Sequence, residues 1–149
     1  MKIAIACDHG GLNLKNKIIA HIKAAGHEVV DFGTNTAESC DYPDFALLAA
    51  EAVANGECER GIVVCSTGIG VSIVANKVPG VRCAHCHDCY CAELTRLHND
   101  SNVLALGEKV VGEGYAIKIV DTFLNTEFDG GRHQRRIDKI TAIEKKYCK

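Results

Sequence analysis

The chain has 149 residues, 47% of them hydrophobic and 24% charged, which is the composition of a globular protein large enough to bury a core. This composition excludes disordered and collagen-like chains. The net charge of -2, with both signs spread along the chain, argues against nucleic-acid binding, which favours a basic surplus.

Short apolar runs alternate with helical patterns through the first half of the chain. Residues 3–6 predict a first strand, and Asp8 interrupts this run too early for a signal peptide. Apolar residues then recur at helical spacing until Gly26, a typical helix stop. A second strand is predicted over residues 28–32, and an Ala/Leu-rich helix over residues 45–54.

The second half continues this alternation. Its predicted elements are, in chain order, a strand over 61–65, a helix over 71–77, a strand over 81–84, a helix that ends near His98-Asn99, a strand over 103–106, and helices over 113–124 and 136–146. No apolar run approaches the roughly 20 residues needed to cross a bilayer, so no membrane contact is expected.

Strands that alternate with helices indicate βαβ units and a parallel sheet covered on both faces. Without a linker, repeat or low-complexity tract, residues 1–149 are expected to form one domain. In such sheets ligands bind outside the carboxyl ends of the strands. The candidate site therefore includes Asp8-His9, the segment after Cys65 and the loop after Leu106.

The stretch Cys65-Ser66-Thr67-Gly68-Ile69-Gly70 carries the most information. A cysteine ends a buried strand, a loop with two glycines follows, and a helix begins. Glycines let backbone N–H groups approach an anion closely, and a helix N-terminus adds partial positive charge. The loop is therefore suited to hold an oxyanion and to favour the Cys65 thiolate. The alternative is a buried cysteine before an ordinary turn.

Three further groups offer polar chemistry, each with a structural alternative. Asp8-His9 follows the first strand and is suited to bind hydroxyls or phosphate, although Asp8 is equally suited to cap the next helix. His98-Asn99 closes a helix, where Asn99 is also a natural left-handed stop. Arg132 and Arg136 share one face if their segment is helical, forming a clamp for phosphate; otherwise they belong to a solvated basic helix start.

Nine cysteines are many for this length and, without a secretory signal, indicate a reducing cytoplasm rather than a disulfide framework. Residues 83–91 hold four of them with CxxC spacing that resembles zinc or iron–sulfur ligation. This segment spans a predicted strand-to-helix transition, which scatters thiols, and it lacks the separate second cysteine pair of a zinc ribbon. No metal is predicted there, and the cysteines are expected to pack in the core and at the surface.

In combination, several motifs closely resemble those of the type B ribose-5-phosphate isomerases, nearly end to end from Lys2 to about Lys145. They are Asp8-His9-Gly10-Gly11, Tyr42-Pro43-Asp44, Cys65-Ser66-Thr67-Gly68-Ile69-Gly70, Ala75-Asn76-Lys77, His98-Asn99-Asp100, Asn102-Val103-Leu104-Ala105 and Gly130-Gly131-Arg132-His133. The wider family includes allose-6-phosphate and galactose-6-phosphate isomerases, which remain alternative activities.

The resemblance implies a three-layer, Rossmann-like α/β domain with a five-stranded parallel sheet. It also implies a cytoplasmic enzyme of the pentose phosphate pathway that acts on a phosphorylated sugar. The enzyme would work as a homodimer, possibly a tetramer, with active sites at the subunit interface. No metal or organic cofactor is implied.

Residue by residue, the resemblance makes Cys65 the base that moves a proton between C1 and C2 of the sugar through an enediolate. The backbone of the following loop would hold the oxyanion, at Ser66, Thr67, Gly68, Ile69 and Gly70. His98, assisted by Thr67, would protonate the ring oxygen to open the furanose. Asp8 and Asn99 would bind hydroxyl groups.

The phosphate would be surrounded by His9, Lys109, Arg132 and Arg136. Many relatives carry arginine at the position of Lys109, and lysine keeps the charge but loses the bidentate fork. Some relatives use a glutamate just after the last glycine of the loop, where this chain has Val71, which leaves Cys65 as the consistent base.

Two rival interpretations stay open. The chain could be a non-catalytic subunit of a heteromeric hexose-phosphate isomerase, although the presence of Cys65, His98 and both arginines argues against this role. It could instead be a metal or redox protein built around residues 83–91.

Overall fold

Five parallel strands form one sheet in the computed structural model, which describes residues 1–147. The strands are β1 (Lys2–Cys7), β2 (Glu28–Asp31), β3 (Arg60–Cys65), β4 (Cys83–His85) and β5 (Val103–Gly107). Their order across the sheet is β2-β1-β3-β5-β4, so β3 lies at the centre. The predicted three-layer α/β fold with a five-stranded parallel sheet is confirmed.

Six α-helices accompany the sheet within residues 1–147, and the first five of them cover it: α1 (Leu12–Ala24), α2 (Tyr42–Ala54), α3 (Ile69–Ala75), α4 (Cys89–Asn99), α5 (Glu113–Asn125) and α6 (Arg132–Tyr147). Within residues 1–147, none of these helices is both long and apolar enough to cross a bilayer.

Side chains alternate between the two faces of the sheet, as strand geometry requires. In β5, Leu104 and Leu106 pack in the core beneath α1, α4 and α5, whereas Val103 and Ala105 pack in the core beneath α2 and α3. Helix α6 lies outside these layers and contacts α4.

The parallel register aligns the carboxyl ends of the three central strands. Cys7 of β1 pairs with Val64 of β3, and Cys65 pairs with Gly107 of β5. The loops that follow these strands therefore meet at one edge of the sheet, as the sequence predicts.

Helices α4 and α5 run back toward the amino-terminal ends of the strands. Asn102, which follows α4, accepts a hydrogen bond from the N–H of Gly61 at the start of β3 (2.9 Å). Asp129, just before α6, donates its N–H to the carbonyl of Leu97 near the end of α4 (3.1 Å). The end of α4 and the start of α6 thus lie together at the amino edge of the strands.

Several predicted boundaries shift. β4 spans Cys83–His85 rather than 81–84, α3 begins at Ile69 rather than 71, and α6 begins at Arg132 rather than 136. The early start of α6 places Arg132 and Arg136 one turn apart on the same helix, as the phosphate clamp requires.

The left-handed residue after α4 is Asp100 (φ 44°), so the alternative interpretation of Asn99 as this stop is wrong; Asn99 is the last helical residue. The Asp100 carboxylate accepts hydrogen bonds from Arg96 (2.8 Å) and Arg82 (3.3 Å). These two contacts offset the cost of a left-handed conformation at a residue with a side chain.

Candidate active site

Cys65 ends β3 and lies at the carboxyl edge of the sheet. Its side chain is 6% exposed, and its Sγ accepts a hydrogen bond from the backbone N–H of Gly68 at 3.1 Å. A donor aimed at sulfur stabilises the thiolate more than the thiol, which suits Cys65 to act as a base.

The loop after Cys65 is shaped by two glycines. Gly68 has φ +81°, and a Cβ there would lie 2.6 Å from His85 Nε2 and 2.8 Å from the Leu106 carbonyl carbon. A Cβ at Gly70 would lie 2.8 Å from the Tyr42 ring. Only glycine fits these positions, so the loop keeps its backbone amides close to the thiol.

Asp8 and His9 follow β1 and lie beside this loop. The closeness of the two segments is seen at Gly10, where a Cβ would collide with the Ser66 hydroxyl group. Asp8 is 8% exposed, and its Oδ1 accepts the N–H of Gly10 at 2.9 Å, which confirms its capping role. Its Oδ2 has no hydrogen bond to any residue among 1–147 and is open to bind a hydroxyl group.

The tautomer of His9 is set by its neighbour Cys40. His9 Nδ1 accepts the backbone N–H of Cys40 at 3.2 Å, so the ring carries its proton on Nε2 when it is neutral. Sequence reasoning missed Cys40, because nothing in the local pattern places the loop after β2 against His9.

Lys109 follows β5 at the same edge. It is exposed, and its backbone N–H donates to the carbonyl of Ser66 at 3.0 Å. The structure therefore brings together Asp8, His9, residues 65–70 and Lys109, which we call the carboxyl-edge group.

A second group lies at the opposite edge of the sheet. An open cleft of about 410 Å³ is lined by His98, Asn99, Arg132, His133 and Arg136, which we call the amino-edge group. The rings of His98 and His133 stack with centroids 4.2 Å apart and planes 11° apart. Two guanidinium groups in a cleft with histidines form a site suited to a doubly charged phosphate.

His133 belongs to the sequence motif Gly130-Gly131-Arg132-His133, to which the family resemblance gives a role only at Arg132. Burial is the largest cause that lowers the pKa of His133, and nearby His98, Arg132 and Arg136 lower it further. Asp129 has a smaller, opposing effect. A neutral His133 stacked on His98 fixes the orientation of that ring.

One chain does not bring the two groups together. A central strand of five or six residues extends roughly 16–20 Å, and the groups lie at its opposite ends. The assistance of His98 by Thr67 accordingly has no contact within residues 1–147 to support it.

The geometry offers one candidate set of metal ligands within residues 1–147. His98, Asp129 and His133 place their ligand atoms within 4.8 Å of one another. The lone pairs of the two stacked rings lie in nearly parallel planes and cannot both point at one ion without rotation. Arg132 and Arg136 also repel a cation, so this cluster does not suit a metal as it stands.

The cysteines of residues 83–91 do not form a metal cluster within the described part of the chain. Cys86 is buried, Cys83 and Cys89 are partly buried, and Cys91 is exposed. Burial raises the pKa of Cys83 and raises that of Cys86 to about 12, which disfavours the thiolates that metals bind.

Comparisons of the sequence and of the structure with known proteins find the same group of proteins. A family model described as Ribose/Galactose Isomerase matches residues 3–140. The ribose-5-phosphate isomerase B of Escherichia coli (strain K12) is 51% identical over 145 residues, covering 97% of each chain.

Two solved structures superpose closely. That of Clostridium thermocellum Ribose-5-Phosphate Isomerase B has a TM-score of 0.98 and 60% identity, covering 99% of both chains. That of Ribose-5-phosphate Isomerase B from Mycoplasma genitalium, with bound Ribulose-5-phosphate, has a TM-score of 0.93 and 49% identity, covering 97% of this chain and 96% of the other.

Proposed function

The chain belongs to the ribose/galactose isomerase family, and on this basis we propose that it interconverts ribose 5-phosphate and ribulose 5-phosphate. The observation that carries the proposal is the Cys65 thiol at the end of β3, with the N–H of Gly68 at 3.1 Å and a glycine loop around it. The bound ribulose 5-phosphate of the Mycoplasma relative supports the choice of substrate.

The isomerisation moves one proton between adjacent carbons. The Cys65 thiolate removes the proton from C2 of the open-chain aldose, the electrons form the C1–C2 double bond of an enediolate, and the thiol returns the proton to C1. Backbone amides of residues 66–70 stabilise the developing oxyanion, and Asp8 holds a hydroxyl group. A proton also moves from O2 to O1, which leaves a hydroxyl group on C1 and a carbonyl group at C2 and completes the ketose.

The remaining chemistry falls to the amino-edge group. His98 opens the furanose by protonating the ring oxygen, and Asn99 binds a hydroxyl group. Arg132 and Arg136 hold the phosphate, with His9 and Lys109 from the carboxyl-edge group on its other side. Anchoring this distant phosphate orients the reacting carbons.

Because the two groups lie at opposite edges of the sheet, we place each active site between two chains of a homodimer. The carboxyl-edge group of one subunit faces the amino-edge group of its partner, and a two-fold axis produces two equal sites. Pairs of such dimers can further assemble as tetramers.

Exposed apolar side chains support this arrangement. Ile69 and Ile73 of α3, next to the carboxyl-edge group, are 53% and 55% exposed. Ile143 and Tyr147 of α6, the helix that carries both arginines, are 61% and 71% exposed. Apolar surface beside both groups is expected where a partner subunit covers it.

We also place the enzyme in the cytoplasm as a single domain over residues 1–149. The eight cysteines within residues 1–147 are all free, which fits a reducing compartment.

The proposal is tested by comparing Cys65→Ala with Cys91→Ser, a change at an exposed thiol outside both groups. Cys65→Ala is expected to lower kcat about 10²- to 10⁴-fold in both directions, while calorimetry still detects substrate binding. Cys91→Ser is expected to keep wild-type kcat. Wild-type turnover in Cys65→Ala would remove the thiol from the mechanism.

The substrate assignment has its own assay. Initial rates are measured with ribose, allose and galactose phosphates, and the pentose is expected to give the highest kcat/KM. A preference for a six-carbon phosphate above about tenfold, roughly 1.4 kcal/mol, would contradict it.

A further inference from the structure

His85, the last residue of β4, contacts the loop that follows Cys65. Its Nε2 lies 2.8 Å from the carbonyl oxygen of Thr67. A carbonyl oxygen only accepts hydrogen bonds, so Nε2 must carry a proton and donate it. Burial, with a smaller contribution from His87, lowers the pKa of His85, against the hydrogen bond to Thr67, which raises it. The ring is therefore neutral near pH 7.

The contact falls on the peptide group that serves Cys65. The carbonyl of Thr67 and the N–H of Gly68 belong to one planar peptide unit. The carbonyl end accepts from His85 at 2.8 Å, and the N–H end donates to Cys65 Sγ at 3.1 Å. Rotating this unit would break both hydrogen bonds together.

The imidazole also fills the space beside this peptide. A Cβ at Gly68 would lie 2.6 Å from His85 Nε2, so the ring packs directly against the loop backbone. A hydrogen bond at the carbonyl polarises the peptide and strengthens the donor at its other end. The ring thus both fixes the direction of the Gly68 N–H and increases its pull on the sulfur.

We propose that His85 is a positioning residue for the base, acting through the Thr67–Gly68 peptide to favour the Cys65 thiolate. The inference rests on the proposed role of Cys65 in the isomerisation. Nothing in the motifs that identify the family points to His85, since its contact with the loop exists only in the folded chain.

The hydrogen bonds from His85 to the Thr67 carbonyl and from the Gly68 N–H to Cys65 form what we call the relay. Few titratable groups lie near this relay among residues 1–147. The ring of His87 meets that of His85 edge-on at 4.3 Å. Glu108 and Lys109 follow β5 beside the loop, and the Glu108 carboxylate is engaged by the N–H of Leu14 at 2.9 Å and by Asn13 at 3.3 Å.

The test compares a variant without a donor with one that keeps it. His85→Leu fills the space but cannot donate to Thr67, and His85→Met serves as a second variant of this kind. His85→Gln places an amide N–H near the position of Nε2. His87→Gln is the matched control, because it changes the neighbouring imidazole and leaves the loop contact in place.

Two quantities are measured across pH 5.5–9: the rate of Cys65 alkylation by iodoacetamide, read by peptide mass spectrometry, and kcat. His85→Leu is expected to slow alkylation at pH 7 about threefold, since one neutral hydrogen bond is lost. The acid limbs of both profiles move to higher pH because the thiolate is less favoured, while KM changes less than about twofold. His85→Gln and His87→Gln are expected to match the wild type.

Unchanged profiles in His85→Leu and His85→Met would overturn the proposal. So would a His85→Gln variant that behaves like His85→Leu, because the ring would then act by its shape alone. The alkylation profile does not depend on turnover, so it reports on the relay even if Cys65→Ala proves active and the proposed function fails.

Discussion

At the scale of single residues, the Cys65 thiol is distinguished by what it contacts. Burial raises the pKa of Cys7 to about 12, and its Sγ lies near a carbonyl oxygen, that of Thr34 at 3.8 Å. Cys65 is equally buried in its strand but faces the N–H of Gly68. Cys7 at the end of β1 is therefore expected to stay an unreactive thiol, whereas Cys65 at the end of β3 accepts a hydrogen bond from a backbone N–H.

Substitutions of His98 and of Cys65 are predicted to affect the two directions of the reaction differently. Ribose 5-phosphate is mostly a closed furanose, whereas ribulose 5-phosphate cannot close that ring because its C5 oxygen bears the phosphate. His98→Asn should therefore lower kcat from ribose 5-phosphate more than kcat from ribulose 5-phosphate. Initial rates at saturating substrate measure this, because thermodynamics fixes only the ratio of the two kcat/KM values.

His87→Asn, at an exposed histidine, is the control for this comparison and should leave both rates intact. Equal losses in both directions for His98→Asn would leave the base in place but remove the ring-opening role.

Arg136 is predicted to capture the phosphate. Hydrogen bonds to charged groups contribute about 1.5–3 kcal/mol, so Arg136→Ala should lower kcat/KM about 10- to 100-fold, chiefly through KM. Arg135→Ala removes the same charge from the neighbouring position, which does not line the cleft, and should change kcat/KM little. Equal kinetics for the two variants would remove Arg136 from the site.

The sequence could predict residues that follow a general rule of the fold, and it missed those that depend on a tertiary neighbour. Asp8, Cys65 and Lys109 lie at or just beyond the carboxyl ends of parallel strands, where ligands bind in such sheets. Cys40 and His85 reach the site only because a distant loop or strand packs there, and no local pattern reports such contacts.

At the scale of elements, the chain's helix and strand types followed from its periodicity, but several boundaries did not. β4 has only three residues and is an outermost strand of the sheet, so pairing with β5 alone sets its limits. The left-handed turn after α4 falls at Asp100 because Arg82 and Arg96 hold its carboxylate, a contact that the preference of Asn for such turns does not reveal.

The loop after β3 is predicted to depend on Gly68 for activity. Gly68→Ala places a side chain in a left-handed conformation, at about 1–2 kcal/mol, and also drives it into His85 and Leu106. Gly56→Ala is a matched control, since Gly56 has φ +74° with open space around its Cβ position.

Both variants should lose stability in thermal unfolding, Gly68→Ala more than Gly56→Ala because only its Cβ collides with neighbours. Only Gly68→Ala should lose kcat, because only it displaces the N–H that faces Cys65. Wild-type kcat in Gly68→Ala would show that the loop tolerates movement without loss of chemistry.

At the scale of the whole molecule, the division of functional groups between two edges of the sheet predicts complementation. Cys65→Ala damages the carboxyl-edge group, and His98→Asn damages the amino-edge group. In a mixed dimer, one site combines both damaged groups and the other combines both intact groups.

Subunits of the two variants, unfolded together and refolded as a mixture, should recover about a quarter of the wild-type activity toward ribose 5-phosphate, because about half of the dimers are mixed and each has one intact site. Each variant refolded alone is the control. A mixture as inactive as its components would place the whole site within one chain.

In the proposed homodimer, the separation of the two groups would also make the sugar phosphate a bridge between the two subunits. A ligand that touches both subunits binds the dimer and not the lone chain, so it strengthens association by mass action. On dilution, activity per chain should fall with a lag as dimers separate, and substrate present beforehand should slow that decay. The substrate of such an enzyme helps to assemble the catalyst that consumes it.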